Sequence, residues 1–315
     1  MAPAIEVQGL TKLYHGGRGE PLRAVDGIDF VVKPGEVFGF LGPNGAGKST
    51  TIRMLTGLAR PTSGTARVLG LDLARDLARI KKAIGVVPEA SNLYGELSAF
   101  DNLMFAMQLY GVPRAARRTR ALALLDRFRL GEKHDARFAS LSRGMRRALT
   151  IAAALAHHPR LVFLDEPTLG LDVMSARDLR RAIASLRDEG VTVFLTTHYM
   201  EEAEQLCDHI AILVGGRIVT LDTVAGLRAA AGADQAAFEI TAASADGRVE
   251  HWRVEGSADA GLRDALARAQ TRGLHIVGID TRRPSFEDVF VQLSGLGVEV
   301  MRMEKAERET RDVGG

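Results

Sequence analysis

The stretch VFGFLGPNGAGKST at residues 37–50 decides the fold of this chain. Its first five residues are apolar apart from one glycine, as in a buried β-strand, and TIRMLTGL at residues 51–58 has apolar side chains at helical spacing. The segment between them matches G-x-x-x-x-G-K-[S/T], in which glycines let several backbone N–H groups point at one phosphate chain. The positive end of the following helix dipole strengthens that attraction. The stretch therefore predicts an α/β domain that binds the phosphates of a nucleotide.

The side chains of this loop have defined expected roles. The ammonium group of Lys48 would neutralise the β- and γ-phosphates, and the hydroxyl group of Ser49 would bind Mg²⁺. A nucleoside triphosphate and Mg²⁺ are therefore the expected ligands. The residues that we expect to contact the nucleotide are Gly42, Asn44, Gly45, Ala46, Gly47, Lys48, Ser49 and Thr50.

A second motif, LVFLDE at residues 161–166, supplies carboxylates. Four apolar residues indicate a buried strand, and Asp165 and Glu166 follow at its carboxyl end, where open parallel sheets bind their ligands. We expect Asp165 to hold Mg²⁺ through water, and Glu166 to orient and deprotonate the attacking water. The alternative, a strand that ends in a solvated acidic turn, is much less favoured beside a phosphate-binding loop.

The composition limits the class of protein. The chain has 315 residues and a mass of 34.0 kDa, which is enough for two domains. Its 46% apolar and 25% charged residues exclude wholesale disorder, and a net charge of +2 predicts no general attraction to nucleic acid. There is one cysteine, so an internal disulfide is excluded. No run of 18 apolar residues and no signal-peptide pattern occurs, so we expect any membrane role to come through a partner.

The order of predicted elements indicates the domain organisation. The first 70 residues are β-rich, and from Leu141 helices and strands alternate, which is typical of a mostly parallel sheet covered by helices. After Asp222 the residues become mostly small, with AGLRAAAGADQAA at residues 225–237, and we expect this segment to be flexible. The predicted parts are a domain at residues 1–221 with a helical subdomain at about 90–157, a small α+β domain at 222–298 and a charged flexible tail at 299–315.

Five further motifs occur in a fixed order: Tyr14 before the second predicted strand, IGVVPE at 84–89, ASLSRGMRR at 139–147, LGLD at 169–172 and TTHYMEEAE at 196–204. Together with the two motifs above, they make the chain resemble the nucleotide-binding subunits of ABC transporters over about residues 4–220. This resemblance implies the ABC cassette form of the P-loop NTPase fold. PSFEDVF at residues 284–290 resembles the exporter group that includes daunorubicin-resistance ATPases.

The resemblance also implies roles for single residues. Tyr14 would stack on the adenine of ATP, and Glu89 would contact Mg²⁺ or its water. His198 would contact the γ-phosphate and hold Glu166 with its water. The residues expected to contact the nucleotide of the opposite subunit or to complete that interface are Ser142, Gly144 and Asp172. One chain then forms no complete active site, because two copies must close around two ATP molecules.

Three residues depart from the family pattern. Arg143 replaces the first glycine of the L-S-G-G-Q signature, and Met145 replaces its glutamine. The Arg143 side chain either adds positive charge near the γ-phosphate or points to solvent. Glu89 replaces the usual glutamine, and a carboxylate can present oxygen to Mg²⁺ as well as an amide can. None of these three substitutions affects Lys48, so we expect ATP hydrolysis to be retained.

The resemblance predicts an ATP-hydrolysing subunit that dimerises on ATP and drives export through separate membrane-spanning subunits, at the cytoplasmic face of the cell membrane. No nucleic-acid partner is expected. The alternatives are a soluble ABC-type ATPase that acts on nucleic acid or ribosomes, a non-catalytic ATP-binding regulator, and an importer. Only 53 positions separate Glu89 from Ser142, too few for the long coiled coils of DNA-repair relatives, and translation-type relatives usually carry two cassettes.

Overall fold

The structure is a computed structural model that describes residues 2–15, 21–232, 237–244, 248–255, 258–282 and 284–296. The predicted tail at 299–315 lies outside the described residues. The chain divides into two units, Met1–Thr223 and Val224–Gly315, which are described separately below.

The strands, in chain order, are β1 (Ile5–Tyr14), β2 (Leu22–Val32), β3 (Val37–Leu41), β4 (Ser63–Val68), β5 (Leu71–Asp72), β6 (Ile84–Val87), β7 (Leu161–Asp165), β8 (Thr192–Thr197), β9 (His209–Val214), β10 (Arg217–Thr223), β11 (Ala237–Ser244), β12 (Val249–Glu255) and β13 (Leu274–Arg282). The α-helices are α1 (Lys48–Leu55), α2 (Leu77–Ala83), α3 (Ala99–Leu109), α4 (Arg114–Arg127), α5 (Arg143–Ala154), α6 (Val173–Asp188), α7 (Met200–Leu206), α8 (Val224–Ala230), α9 (Ala258–Thr271) and α10 (Phe286–Ser294).

A six-stranded sheet in the order β10-β9-β3-β8-β7-β6 forms the centre of the first unit. All neighbouring strands in it are parallel except β10, which is antiparallel to β9. The prediction of a mostly parallel α/β sheet is therefore confirmed. The register pairs Leu41 with Thr197 and Asp165 with Thr196, so the carboxyl ends of β3, β7 and β8 lie side by side.

A second, antiparallel sheet in the order β2-β1-β4-β5 packs on the first. Five phenylalanines join the two sheets, with ring centroids of contacting pairs 5.0–5.9 Å apart: Phe30, Phe38, Phe40, Phe163 and Phe194. All five are buried, and such aromatic pairs contribute energy beyond the area they bury. This cluster gives the parallel sheet a rigid base beneath the strand ends.

Three helices, α3, α4 and α5, pack on one another between β6 and β7. The Ser98 hydroxyl caps α3 and the Ser142 hydroxyl caps α5, each by accepting a hydrogen bond from a backbone N–H three residues later. Helix α5 has a run of buried residues from Leu149 to Ala154, which places it against the sheet.

The second unit contains a three-stranded antiparallel sheet in the order β12-β11-β13. The core beneath α9 includes Ile240, Ala265 and Leu274, with Trp252 packed against them. The first part of the segment that the sequence predicts to be flexible, residues 225–230, lies in helix α8 instead, because Leu227 provides an apolar anchor among small, helix-compatible residues. Residues 233–236 of that segment lie outside the described residues. Among the described residues of both units, no helix is long and apolar enough to cross a membrane.

The aromatic cluster predicts a large effect of one core substitution. Phe194→Ala should lower the free energy of unfolding by about 3–5 kcal/mol, because it removes the ring that contacts the other four. Val31→Ala, on an exposed position of β2, should change it by no more than about 0.5 kcal/mol. Urea unfolding followed by circular dichroism measures both, and equal losses would contradict this assignment of the core.

Candidate active site

The phosphate-binding loop connects the end of β3 to the start of α1. Gly47 has φ +104°, and a Cβ atom there would lie 2.3 Å from the carbonyl oxygen of Ala24, so only glycine fits. The buried Lys48 side chain turns back under the loop, and its Nζ donates hydrogen bonds to the carbonyl oxygens of Gly42 (2.7 Å) and Pro43 (3.1 Å). The loop thus surrounds a buried ammonium group at the positive end of α1.

The other predicted loop residues lie along the same turn. Gly42 and Ala46 are buried, Asn44 and Gly45 are exposed, and Ser49 and Thr50 are half-buried at the start of α1. The exposed part of the loop is backbone and small side chains, so a ligand can approach its N–H groups closely.

Asp165 at the end of β7 is joined to the loop and to the neighbouring strand. Its Oδ1 accepts hydrogen bonds from Ser49 Oγ (3.0 Å) and from Thr196 Oγ1 (2.5 Å). Ser49 and Asp165 therefore present two oxygens side by side at the mouth of the loop. Mg²⁺ binds proteins through one or two such oxygens and completes its shell with substrate phosphates and water, so these residues fit that ion. No group of three or more possible metal ligands occurs among the residues described.

Glu166 lies between two basic groups. Its Oε2 is 2.7 Å from Nδ1 of His198, and its Oε1 is 3.4 Å from Nζ of Lys48. Burial by itself raises the pKa of the Glu166 carboxyl, but the hydrogen bond and charge of His198 and the charge of Lys48 outweigh it, so the pKa lies below its ordinary value. The group is therefore an ionised carboxylate, able to accept a proton from water.

The backbone at Glu166 is unusual, because its φ is +48° in a residue that is not glycine. Its N–H donates to both the carbonyl oxygen and the hydroxyl of Thr196, each at 3.1 Å. The left-handed turn directs the Glu166 carboxylate away from the direction of β7, which ends at Asp165. Two consecutive acidic residues thus take different positions, one beside Ser49 and the other between Lys48 and His198.

His198 follows β8, and its ring has one bonded and one free nitrogen. Nδ1 meets Glu166, whereas the buried Nε2 has no hydrogen-bond partner among the described residues. A buried polar atom without a partner costs free energy unless a ligand satisfies it. Nε2 of His198 is therefore a group available to a ligand at the mouth of the loop.

Two predicted ligand residues lie outside this buried group. Tyr14, at the end of β1, is 37% exposed, and Nζ of Lys12 lies 5.0 Å from its ring centroid. The ring is thus held by a cation–π contact and remains accessible for stacking. Glu89 is exposed beyond the end of β6, and within the described part of the chain no hydrogen bond or ion pair joins its carboxylate to Ser49 or Asp165.

The signature residues lie at the start of α5, next to α6. The Ser142 hydroxyl accepts from the N–H of Met145 at 3.2 Å, and Asp172 caps α6 by accepting from the N–H of Ser175 at 2.9 Å. A Cβ atom on Gly144 would lie 2.5 Å from Oγ of Ser175, so this glycine allows the two helices to approach. No hydrogen bond or ion pair among the described residues joins Ser142, Gly144 or Asp172 to the phosphate-binding loop of the same chain.

Arg143 is exposed, as in the solvent-facing alternative considered from the sequence. Its guanidinium group lies against Gly170, where it fills the space that a Cβ atom would occupy. Gly170 has φ +65°, a conformation that favours glycine, and the absence of a Cβ atom there leaves room for the Arg143 guanidinium group. The signature and the LGLD loop of one chain are therefore packed together.

Three important residues lie inside motifs quoted in the sequence analysis but were given no role there: Thr196, Arg147 and Glu202. Thr196 bonds both Asp165 and the backbone of Glu166, but a threonine in a strand carries no special signal. Arg147 is buried on the face of α5 that also bears Ile151 and Ala154, and an arginine in that apolar row is a signal that could have been found. Glu202 is a fully buried carboxylate on α7.

Glu202 is 1% exposed, and no hydrogen bond of good geometry reaches either of its carboxylate oxygens among the described residues. Burial raises the pKa of this carboxyl to about 6; the hydroxyls of Thr197 and Thr168 oppose the rise and the charge of Glu166 adds to it. The ionised form is therefore disfavoured in the folded protein, and Glu202 lowers stability progressively as pH rises from its unfolded pKa to its folded pKa.

This pKa predicts a pH-dependent effect of Glu202→Gln. In wild type, ionisation of Glu202 lowers the free energy of unfolding as pH rises from about 4.5 through 6, whereas Gln cannot ionise. Between pH 5 and pH 8 the variant should therefore gain about 1 kcal/mol in free energy of unfolding relative to wild type. Urea unfolding at the two pH values measures this, with the exposed Glu201→Gln as control. A difference between variant and wild type that is equal at both pH values would contradict a raised pKa.

Comparisons with known proteins agree with this geometry. Residues 25–169 match the family model described as ABC transporter. The chain is 37% identical to the daunorubicin/doxorubicin resistance ATP-binding protein DrrA of Streptomyces peucetius, covering 98% of this chain and 97% of that protein. It is 35% identical to the linearmycin resistance ATP-binding protein LnrL of Bacillus subtilis, covering 86% and 93%.

Solved structures support the same assignment. A dimeric ATP-binding cassette in a post-hydrolysis state with ADP and Pi matches with a TM-score of 0.65 and 26% identity, over 70% of this chain and 98% of that one. The ATP-binding subunit of an ABC transporter matches with a TM-score of 0.65 and 32% identity, over 73% and 93%. The resemblance noted in the sequence is confirmed: the chain belongs to the ABC transporter family, as an ATP-binding, ATP-hydrolysing subunit.

Proposed function

We propose that two copies of this chain close around two ATP molecules and drive export by separate membrane-spanning subunits. The observation that carries the proposal is the buried row of Lys48, Glu166 and His198 beside the Ser49–Asp165 pair. This row places a cation, an ionised carboxylate and an unpartnered imidazole nitrogen at one edge of the sheet. Those are the groups that phosphoryl transfer to water requires.

The loop and two flanking groups would bind the nucleotide. The backbone N–H groups from Gly42 to Thr50 and the ammonium group of Lys48 attract the phosphates, and the exposed face of Tyr14 stacks on the base. Ser49 and Asp165 would hold Mg²⁺ directly or through water, with Glu89 as a further oxygen donor. Bound Mg²⁺ would neutralise charge that develops on the phosphates.

In the hydrolysis step, Glu166 would accept a proton from a water that attacks the γ-phosphorus. The bond from that phosphorus to the bridging oxygen breaks, and ADP and phosphate leave. His198 holds Glu166 through Nδ1, and its free Nε2 would contact the γ-phosphate. Lys48 keeps Glu166 ionised and balances the negative charge of the phosphates.

The positions of the signature residues support the dimer. Ser142 and Gly144 lie at the start of a helix of 12 residues, whose free N–H groups attract anions, yet no hydrogen bond or ion pair joins them to their own chain's phosphate-binding loop within the described residues. A second copy would bring its γ-phosphate to this helix, and Asp172 would lie at the same interface. Each active site would then contain residues of both copies.

Export and membrane attachment rest on relatives and on one surface. The similar proteins include, by name, resistance and export ATP-binding proteins, such as a fluoroquinolones export ATP-binding protein of Mycobacterium tuberculosis, 38% identical over 92% of this chain. On this chain, Tyr94 and Phe105 form an edge-to-face pair beside a groove of about 400 Å³. We propose that a cytoplasmic helix of a membrane subunit binds there, which would place the chain at the cytoplasmic face of the membrane.

Glu166→Gln tests the proposed hydrolysis and dimer together. Gln keeps the shape but cannot accept the proton, so the rate should fall on the order of 10²–10⁴-fold. The loss of one negative charge near the γ-phosphate should leave ATP binding at least as tight. The variant should therefore be dimeric in ATP and monomeric in ADP, as measured by size exclusion with light scattering.

The second substitution Ser142→Arg provides the control for that dimer. Its bulky side chain would occupy the site of the opposite nucleotide, so Glu166→Gln with Ser142→Arg should stay monomeric in ATP while each chain still binds one nucleotide. A Glu166→Gln protein that remains monomeric in saturating ATP would count against the paired arrangement. Full wild-type turnover in that variant would remove Glu166 as the base.

The groove predicts a separate loss of membrane attachment. Phe105→Asp places a charge among Tyr94, Leu97 and the aliphatic parts of the groove, so the subunit should no longer sediment with membranes of cells that make the whole transporter. ATP hydrolysis by the isolated subunit should stay within about two-fold of wild type, since the only ring contact of Phe105 among the described residues is with Tyr94. Leu109→Asp, 68% exposed on the same helix and outside the groove, is the matched control. Normal sedimentation of Phe105→Asp would contradict the groove as the contact site.

A further inference from the structure

Arg147 occupies an unusual position for a charged residue. It lies in the second turn of α5, whose first residues follow the Ser142 cap, and its side chain is buried. It shares a helix face with Ile151 and Ala154, where an apolar residue would be expected. Burial of an arginine is costly unless all of its donors are satisfied, so its contacts explain why it is there.

All five N–H donors of the guanidinium group reach backbone carbonyl oxygens. Nε donates to Pro167 at 2.9 Å, and one terminal nitrogen donates to Asp165 at 2.5 Å and to Glu166 at 3.0 Å. The other terminal nitrogen donates to Pro88 and, at 3.2 Å, to Glu89. One side chain thus bonds the last residue of β7, the two residues that follow it, and two residues after β6.

The segment held by these bonds contains the strained residue of the active site. Glu166 has φ +48°, a conformation that costs a residue with a Cβ atom of the order of 1–3 kcal/mol and persists only when its surroundings fix it. Thr196 fixes the N–H side of that turn, and Arg147 fixes the carbonyl groups before, at and after Glu166. The turn is thus restrained from both sides.

The surrounding charges make a buried cation tolerable. Burial lowers the pKa of the Arg147 guanidinium, while the charges of Asp165 and Glu202, followed by Glu89 and Glu166, oppose that shift. No carboxylate pairs with Arg147 directly among the described residues. Because a lysine has three donors on one atom, it could not reach both groups of carbonyls in the planar arrangement of the guanidinium.

We propose that Arg147 is a positioning residue for Glu166, which fixes the left-handed turn that aims this carboxylate and links it rigidly to the helix carrying Ser142 and Gly144. The inference rests on the proposed role of Glu166 as the base. In the proposed dimer, the start of α5 meets one nucleotide and Glu166 acts on the other. The five hydrogen bonds of the Arg147 side chain would make the helix start and Glu166 move as one body.

The test separates turnover from nucleotide binding in the full chain. Arg147→Met should lower kcat on the order of 10²-fold, since a shift of about 1 Å in a catalytic group has that effect. The Kd for ATP, measured with a fluorescent ATP analogue, should stay within about two-fold, because Lys48 and the loop are untouched. Arg147→Lys should lower kcat at least about ten-fold despite keeping the charge.

A double-mutant cycle shows whether Arg147 acts through Glu166. In the Glu166→Gln background, adding Arg147→Met should lower the residual rate by no more than about three-fold, because there is no base left to position. Arg146→Met, the same change at the exposed neighbouring residue, is the matched control and should keep kcat within about two-fold of wild type. Thermal unfolding with and without ATP shows whether each variant is folded. If Arg147→Met does not fold, the test is made with Arg147→Lys.

Distinct results would overturn the inference. Wild-type kcat in Arg147→Met, together with an inactive Glu166→Gln, would remove the positioning role and leave the proposed function intact. A parallel loss of ATP affinity and kcat would make Arg147 a purely structural residue. A further 10²-fold loss in the Glu166→Gln background would show that it acts on another group. Wild-type turnover of Glu166→Gln would overturn the proposed base and this inference with it.

Discussion

The parallel register of β3, β8 and β7 is the constraint on which the active site depends. It sets Asp165 opposite Thr196 and Leu41 opposite Thr197, so the loop after β3 and the acidic pair after β7 emerge at one edge. Thr196 then bonds both Asp165 and the backbone of Glu166. A slip by one residue would turn these side chains to opposite faces of the sheet and separate every catalytic pair.

Charge balance explains how so many ionisable groups stay buried at that edge. At that edge, Lys48 and Arg147 are buried cations, and Asp165, Glu166 and Glu202 are buried acids. Lys48 and His198 keep Glu166 ionised, whereas Glu202 has no hydrogen-bonded partner among the described residues and takes a raised pKa. The pKa values of Glu166 and Glu202 shift in opposite directions because their partners differ, not because one is more deeply buried. A buried charge is stable only with hydrogen-bonding partners.

The chain also contains features that only a second molecule or ligand would complete. Among the described residues, Nε2 of His198 is buried without a hydrogen-bond partner, and no hydrogen bond or ion pair joins the start of α5 to its own phosphate-binding loop. Arg143 packs on Gly170 and so joins the signature to the LGLD loop. These features are consistent with an enzyme whose machinery is preformed in each chain and assembled between chains.

The sequence by itself determined the α/β fold, the family and the chemistry of the site, because short motifs such as GPNGAGKS and LVFLDE need nearly invariant residue types at fixed spacing. The roles given to the single site residues, those of Lys48, Asp165, Glu166 and His198 included, stay predictions, since they concern a bound nucleotide, Mg²⁺ and a second copy. The helix at Val224–Ala230 was missed because its small residues give little apolar periodicity.

Only the tertiary structure decided which groups meet. The residues of one pair, Ser49 and Asp165, are 116 positions apart, and those of another, His198 and Glu166, are 32 apart. The left-handed turn at Glu166 and the five carbonyl bonds of Arg147 depend on where three separate segments come together. Local sequence specifies the side chains, but contacts between distant segments exist only after the sheet has fixed their positions.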